Sequence, residues 1–374
     1  MKIQRKKTLK IITLAAFSFA AFVLSACGSS GDLGLSGAGG LGSEETLSTA
    51  SAPDDPIATP SPIQSGHIIF VSDRDGQKNL YMTTLDGIEQ TRLTASASED
   101  VDLRLSPDGT RVAFVSTVNN NMDIYILDLA TRNITRVTDA PEKDSAPSWS
   151  PDGTKLVFES FRDGNFEIYM VNADGTNPIR LTNDPAGDSS PIWSPVANEI
   201  VFVSNRFGNA DILLLTPTGL VSTLTTGSAP DSAPAWSPDG STVAFKTYSG
   251  ELSNICLIGR DALNLRCLTN SPSDYGTGQP AWSPNGVQLA VRAKQSTGYG
   301  INVFNIMDGS LIQLYSVSVE PLGVPVWSPE GTRLVFQAQT GGNMELYIAT
   351  VLTNEFFRIT SASAYDGDPV WSAQ

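Results

Sequence analysis

The sequence predicts an all-β fold, a seven-bladed β-propeller whose blades are four-stranded antiparallel sheets. The first observation is a repeat of 43 to 46 residues that fills residues 67–374 of the 374-residue chain. The second is that each unit has four short runs rich in β-branched and aromatic residues, separated by Pro, Asp and Gly. A period of about 40–45 residues with four strands per unit is typical of propellers. One anchor residue marks each unit: Leu105, Trp149, Trp193, Trp236, Trp282, Trp327 and Trp371.

The order of strands within a unit predicts how the ring closes. We name the strands a to d, and strand a ends at the anchor. The first unit starts with strand b, "HIIFVS" (67–72), and has no strand a before it. The last segment, "DPVWSAQ" (368–374), is a strand a with no b, c or d behind it. We expect this C-terminal strand to enter the first blade as its innermost strand, because a closed ring leaves no long exposed edge.

Four phrases recur in the repeat: "P-x-W-S-P-D-G" at the anchor, "F-x-S" in strand b, "D-I-Y" in strand c and "R-L-T" in strand d. Across most of the chain they resemble the TolB-like branch of the WD-like β-propeller repeats. The resemblance implies the propeller fold and the binding of extended peptide segments at the channel mouth. TolB itself has six blades and an N-terminal α/β domain. With seven repeats and no such domain predicted, we expect a relative of TolB and not TolB itself.

The first 26 residues are typical of a secretory signal peptide and are kept out of the fold. The apolar run at 11–24 is shorter than the ~20 residues that a membrane span needs. The segment "LSAC", which ends at Cys27, resembles the lipobox of bacterial lipoproteins. This resemblance implies cleavage before Cys27 and acylation of that residue, with palmitate as an expected chain. Residues 27–66 then form a lipidated Cys and a disordered Gly/Ser/Pro tether.

Several acyl chains on one residue give stable membrane anchoring, so we expect a lipid-anchored protein of the cell envelope. Gly28 after the cysteine favours the periplasmic side of the outer membrane in a Gram-negative cell. In a Gram-positive cell the same anchor would hold the protein at the cell surface.

Two cysteines occupy a cross-strand position in the fifth unit. In several c–d hairpins a Tyr stands 11 residues before an Arg, as Tyr81 does before Arg92, and Cys256 and Cys267 have the same spacing. Directly opposed residues in an antiparallel pair have Cβ atoms ~5 Å apart. Because exported proteins fold in an oxidising compartment, we expect a disulfide; two reduced thiols are the alternative.

The strand order places the b–c loops and the d–a segments on one face of the ring. The seven d–a segments contain thirteen acidic residues and one basic residue, and loops on a rigid scaffold often carry function. Five of these acids stand five positions before an anchor: Asp100, Asp144, Asp188, Asp231 and Asp366. They predict an acidic funnel for an envelope protein, a basic peptide or a cation. The alternative is that each Asp accepts hydrogen bonds from its own turn.

Aromatic residues of the same loops are candidate anchors for a partner. They are Tyr275, Tyr365, Phe161, Phe166 and Phe207.

The groups that catalysis commonly uses are scarce. His67 is the single histidine, so neither a Ser-His-Asp triad nor a His/Cys metal cluster can be assembled. We therefore predict a non-catalytic, monomeric module that binds a protein or peptide and has no cofactor besides its lipid. The alternative is a glycan-binding or glycan-cleaving surface lipoprotein, because a carboxylate pair suffices for glycosidase chemistry.

Two further ligand classes, nucleic acid and calcium, fit the sequence poorly. A net charge of −15 disfavours nucleic acid, whose phosphates are bound by Lys and Arg. The segment "SDRDG" (72–76) offers oxygen ligands for calcium but lacks the twelve-residue spacing of an EF-hand. It argues only weakly for calcium.

Overall fold

The computed structural model describes residues 66–372, except 271, 272, 274, 276, 277, 296, 297 and 318–322. In this part of the chain seven four-stranded antiparallel sheets form and no helix is present, which confirms the predicted fold. The described residues therefore contain no helix that is long and apolar enough to span a membrane. The predicted signal peptide, Cys27 and nearly all of the tether lie outside the described residues.

The strands are numbered β1 to β28 in chain order. Blades 1 and 2 contain β1 (His67–Ser72), β2 (Asn79–Thr84), β3 (Gln90–Arg92), then β4 (Glu99–Leu105), β5 (Arg111–Val118), β6 (Asn121–Asp128) and β7 (Ile134–Arg136). Blades 3 and 4 contain β8 (Asp144–Trp149), β9 (Lys155–Ser160), β10 (Glu167–Asn172), β11 (Ile179–Arg180), then β12 (Asp188–Trp193), β13 (Ile200–Ser204), β14 (Asp211–Leu215) and β15 (Val221–Thr223). Blades 5 and 6 contain β16 (Asp231–Trp236), β17 (Thr242–Ser249), β18 (Leu252–Gly259), β19 (Arg266–Cys267), then β20 (Ala281–Trp282), β21 (Gln288–Gln295), β22 (Gly298–Asn305) and β23 (Leu311–Val317). Blade 7 contains β24 (Val326–Trp327), β25 (Arg333–Thr340), β26 (Asn343–Thr350) and β27 (Phe356–Arg358), and the chain ends with β28 (Asp366–Ser372).

Blade 1 is completed by the C-terminal strand. β28 pairs antiparallel with β1, with Trp371 opposite Ile68 and Ser372 opposite His67. The inner strands also contact one another around the ring, in the order β28, β4, β8, β12, β16, β20, β24 and back to β28. The predicted closure is confirmed, and both ends of the ring lie in one blade.

The hydrophobic core lies between neighbouring blades. Ile69 and Leu80 of blade 1 pack with Val112 and Phe114 of blade 2, and all four are buried. The same arrangement recurs around the ring, because strands b and c bury alternating apolar side chains against both neighbours. Each fully buried Leu, Ile or Phe stabilises the fold by about 1.5–3 kcal/mol, so a blade is stable only between its neighbours.

The anchor tryptophans connect successive inner strands. The indole N–H of Trp149 donates to the backbone carbonyl of Arg104 in the preceding blade, at 2.9 Å. Trp282 and Trp327 donate in the same way to preceding-blade carbonyls, at 3.0 and 2.9 Å. Trp suits this position because it fills apolar space and supplies one N–H donor. The most regular residue of the repeat is thus a contact between blades.

The c–d hairpins have the predicted 11-residue offset. Tyr81 lies opposite Arg92, and in blade 5 Cys256 lies opposite Cys267. A disulfide joins these two cysteines across β18 and β19. Cys256 is buried and Cys267 is exposed, so the bridge ties the outermost strand of the blade to its interior.

Deletion of residues 366–374 should destabilise the whole ring. It removes the inner strand of blade 1 with the buried Trp371 and leaves β1 unpaired on that side. We expect the melting temperature, followed by circular dichroism, to fall by at least about 10 °C. A chain that lacks only residues 373 and 374 is the control, and an unchanged melting temperature for the longer deletion would contradict closure.

Reduction should break the bond between β18 and β19. The purified full chain should gain about 2 Da in intact mass on treatment with reductant. Its free energy of unfolding should fall by no more than about 3 kcal/mol, because the closed loop is short. The Cys256→Ser/Cys267→Ser variant should show neither change, and an oxidised wild-type chain of unchanged mass would contradict the bridge.

Candidate functional site

The strand directions give the ring two distinct faces. Every strand a begins and every strand b ends at the face that carries the b–c loops and d–a segments, which we call the loop face. The opposite turn face carries the a–b and c–d turns. Acids on the turn face accept hydrogen bonds within their own turns, as Asp152 does. The hydroxyl of Ser150 donates to its carboxylate at 2.6 Å, and Thr154 donates two further hydrogen bonds. These hydrogen bonds lower the pKa of Asp152 to about 2.

A polar groove opens on the turn face between blades 2 and 3. Its volume is about 730 Å³, and its lining includes Arg111, Asp128 and Lys155. None of the residues predicted to bind a partner lies in it. The groove is therefore separate from the predicted site.

The five predicted aspartates begin or nearly begin the inner strands at the loop face, but they are buried. Their exposed fractions lie between 0 and 6%. Each lies opposite a hydroxyl residue at the end of strand b, as Asp144 lies opposite Ser160 and Asp231 opposite Thr247. This burial places the carboxylates inside the ring and not on its outer surface, and their role in binding a partner stays a prediction. The residues concerned are Asp100, Asp144, Asp188, Asp231 and Asp366.

Three of the five aspartates are bound by arginines of the b–c loops. Arg162 donates through Nη2 to both oxygens of Asp144, at 3.1 and 2.9 Å, and through Nε to the hydroxyl of Ser160 at 2.7 Å. Arg206 reaches Asp188 at 2.7 Å, and Arg74 reaches Asp366 at 2.8 Å. We call these pairs the arginine latches. They differ from the predicted hydrogen bonds within a single turn, since each latch fixes a b–c loop to the inner strand of its blade.

Asp100 and Asp231 have no ion pair in the described part of the chain. Asp100 accepts hydrogen bonds from Ser116 at 2.6 Å and from Thr94 at 2.7 Å. Asp231 is held by the hydroxyls of Thr225 and Thr247. Burial raises the pKa of both carboxyl groups, and the hydroxyl donors offset only part of that shift.

Other acids on the inner wall were missed from the sequence. Asp102 and Asp368 stand three positions before their anchors, where bulges turn the inner strands and give both residues a positive φ, 55° and 51°. Glu159 is the middle residue of "F-x-S" in blade 3, and its carboxylate accepts hydrogen bonds from Ser190 N at 2.9 Å and Ser145 Oγ at 2.8 Å. We call Asp102, Glu159 and Asp368 the inner-wall acids. The sequence did contain a signal for Glu159: blades 1, 2 and 4 have Val at the middle of "F-x-S", and blade 3 has Glu there.

The surroundings of Glu159 and Asp368 favour the neutral forms of their carboxyl groups. Burial raises the pKa of Glu159, and the charge of Asp102 adds to the shift. Asp368 is exposed, yet the walls around it desolvate its carboxyl group and raise its pKa. Blades 5 and 6 carry Lys246 and Arg292 at the position of Glu159, so the inner wall is acidic on one side and basic on the other.

The predicted aromatic anchors divide into buried and exposed groups. Tyr275 is buried between blades 5 and 6, and its carbonyl accepts a hydrogen bond from Lys246 Nζ at 2.8 Å. Tyr365 is half-buried and donates to Asp368 at 3.1 Å, and burial raises its pKa. Phe161 and Phe207 are exposed, at 37 and 59%. The predicted role of Tyr275 is corrected, because its ring lies in the core.

The described residues hold no cluster of three or more His, Cys, Asp or Glu arranged for a metal ion. In "SDRDG", Arg74 binds Asp366, and Asp75 accepts hydrogen bonds from Tyr81 and from Arg92, the latter at 3.1 Å. The carboxylate of Asp75 and the guanidinium group of Arg74 are thus bound by residues of blade 1 itself.

Comparison with solved structures shows the same fold at low identity. TolB from Acinetobacter baumannii is 23% identical, with a TM-score of 0.55, over 67% of this chain and 63% of that one. This chain thus spans less than two thirds of that protein. An oligogalacturonate lyase in complex with manganese is 18% identical, with a TM-score of 0.65, over 77% of this chain and 86% of the lyase. No curated protein matches the sequence.

The prediction that the chain is not an enzyme is contradicted by these neighbours. Besides the lyase, they include a puromycin-hydrolyzing peptidase of Mycobacterium tuberculosis, 15% identical with a TM-score of 0.63, over 81% of this chain and 56% of the peptidase. Propellers of this fold therefore occur in catalytic proteins. A missing triad and a single histidine are not sufficient grounds to exclude catalysis.

The family is shown by the sequence repeat itself. The model of the TolB β-propeller domain matches residues 63–275 and 219–374, which together cover the whole ring. The matched segments include all seven anchors and the C-terminal strand that closes blade 1. The chain belongs to the TolB β-propeller domain family.

Proposed function

We propose that this protein is a lipid-anchored propeller of the cell envelope that binds a protein or peptide partner at its loop face. The observation that carries the proposal is the pair of exposed phenylalanines beside the arginine latches. Phe161 precedes Arg162, and Phe207 follows Arg206, so each ring stands on a loop that a buried ion pair holds in place. Exposed aromatic groups on rigid loops lose little entropy on binding and are typical anchors of interfaces.

Charge on the same face supports a basic partner. The d–a segments carry thirteen acids and one base, and the chain has a net charge of −15. Such a field attracts a positively charged partner and speeds its association at low ionic strength. The buried aspartates contribute to this by fixing the loops, while exposed acids of the d–a segments, Glu99, Asp139 and Glu142, would face the partner.

Membrane attachment rests on the resemblance of "LSAC" to a lipobox. Acylation at Cys27 would tether the ring to a membrane through residues 28–66 and would place the protein in the cell envelope. Binding of a partner there needs no further domain, and a monomer would suffice.

A second candidate function is binding or cleavage of a glycan. The observation that favours it is the proximity of two inner-wall acids: Ser145 Oγ donates to Glu159 at 2.8 Å, and the neighbouring Ala146 N donates to Asp102 at 3.1 Å. A carboxyl group kept neutral by its surroundings can serve as a general acid beside an ionised one. Release of reducing sugar from an acidic or neutral oligosaccharide, lost in Glu159→Gln, would favour this candidate over the first.

Removing the two exposed rings should weaken partner capture. We expect the Phe161→Ala/Phe207→Ala variant, immobilised and exposed to envelope extract, to retain at least ~10-fold less of the partner that wild type binds. Capture by wild type should itself fall at about 0.5 M salt, because the attraction is electrostatic. Phe356→Ala, which removes an exposed ring from the outer strand of blade 7, is the matched control. Equal capture by wild type and the double variant would overturn the proposed surface.

Breaking one latch should destabilise the ring. Arg162→Met leaves Asp144 buried without its cation, which should lower the free energy of unfolding by about 3 kcal/mol. Denaturant unfolding measures this change. Arg132→Met removes an exposed arginine from a turn and should have an effect below about 0.5 kcal/mol. If both variants unfold alike, the latch does not hold the loop.

A further inference from the structure

Two junctions between blades share one polar arrangement at the loop face. Each joins the first residues of strand c in one blade to the start of strand a in the next. At the junction of blades 2 and 3, Asp123 receives Arg136 at 2.8 Å and Asp144 receives Arg162 at 2.9 Å. At the junction of blades 3 and 4, Glu167 receives Arg180 at 3.0 Å and Asp188 receives Arg206 at 2.7 Å. Two acids at a junction are thus matched by two arginines.

The junction of blades 4 and 5 has both acids and neither arginine. Asp211 begins strand c, and Asp231 begins the next strand a. Thr223 occupies the register position that Arg180 has in blade 3. Ser249 stands two residues after Thr247, as Arg162 stands two residues after Ser160. No ion pair reaches either acid in the described part of the chain.

The carboxylate of Asp211 shows that this junction lacks a hydrogen-bond donor or a cation. The residue is 1% exposed, and its Oδ1 has no hydrogen-bond partner among the described residues. Oδ1 of Asp123 and of Asp188 also lacks one, but those two carboxylates are ion-paired with arginines. Asp211 lies beside Asp231, because the backbone N–H of Asp231 donates to the carbonyl of Ala210 at 2.7 Å. Burial raises the pKa of Asp211, and the charge of Asp231 adds to the shift. A buried acceptor without a partner is unfavourable by about 1–3 kcal/mol. A cation at this place would therefore be bound by groups that are already positioned.

We propose that the junction of blades 4 and 5 is a socket for the guanidinium group of an arginine in the bound peptide or protein. The proposal rests on the proposed function and names the chemistry of its partner. The partner's arginine would replace the missing latch, and its planar donors match a pair of carboxylates better than a lysine ammonium does. Asp231 is, at 6%, the most exposed of the five aspartates, so the arginine would enter from its side of the junction.

A small probe tests the socket without the partner. We expect N-acetyl-arginine amide to bind the full chain, purified in mild detergent, in calorimetric titration at low salt. The isosteric but neutral N-acetyl-citrulline amide should bind at least ~10-fold more weakly, and so should the arginine probe to Asp211→Asn. Equal binding of the two probes, or unchanged binding to Asp211→Asn, would overturn the socket.

The chain can also be given the missing arginine. Ser249 and Thr247 point to the same side of β17, so the side chain in Ser249→Arg can reach Asp231. This variant should raise the melting temperature and abolish binding of the arginine probe. Ser222→Arg adds the same charge on an exposed residue of β15 next to Thr223 but on the other side of the strand, and should change neither. Probe binding that survives Ser249→Arg would contradict the proposal even if Asp211→Asn failed to fold.

The pH dependence of stability tests the burial of Asp211 independently of probe binding. Because its folded pKa is raised, Asp211 favours folding most at low pH, and that contribution is lost as the pH rises through the folded pKa. Asp211→Asn should lack this loss and be more stable than wild type at pH 7. Calcium that binds at Asp211 while the arginine probe does not would replace the socket by a metal site. The arginine probe can fail to bind while partner capture remains and still depends on Phe161 and Phe207. In that case the socket is wrong and the proposed function stands.

Discussion

The pairing of β28 with β1 is the contact on which the rest of the structure depends. It joins the two ends of the ring, and Ile68, Phe70 and Trp371 of the completed blade 1 pack against blade 7. It also brings Asp366 to Arg74, 292 positions apart in the chain. Such a contact is entropically expensive to form early, yet once made it leaves no inner edge open to another chain.

Buried charge organises the loop face that the closed ring creates. Three aspartates at the starts of the inner strands, Asp144, Asp188 and Asp366, hold the b–c loops through arginines. A buried ion pair adds little net stability, but the loss of one partner is severe, so such pairs chiefly specify geometry. At the loop face this geometry sets Phe161 and Phe207 into solvent on fixed loops.

The ring is regular in its scaffold and irregular in its site. The inner strands of blades 6 and 7 are only two residues long and carry no aspartate at the repeated position. Asp102, Glu159 and Asp368 lie on one side of the inner wall, with Lys246 and Arg292 on the other. A partner that meets such a face is oriented as well as attracted, because charge of both signs discriminates between poses.

The sequence by itself determined the blade count, the strand order, the closure by the C-terminal strand and the cysteine register, since each depends on period and hairpin offset. It also located the aspartates at the starts of the inner strands. Tertiary structure alone decided that these carboxylates are buried, since Arg162 and Asp144 meet only when the b–c loop folds back on the inner strand. The bulges that turn Asp102 and Asp368 inward, and the junction that leaves Asp211 without a cation, likewise arise from contacts between strands and blades, which no local pattern encodes.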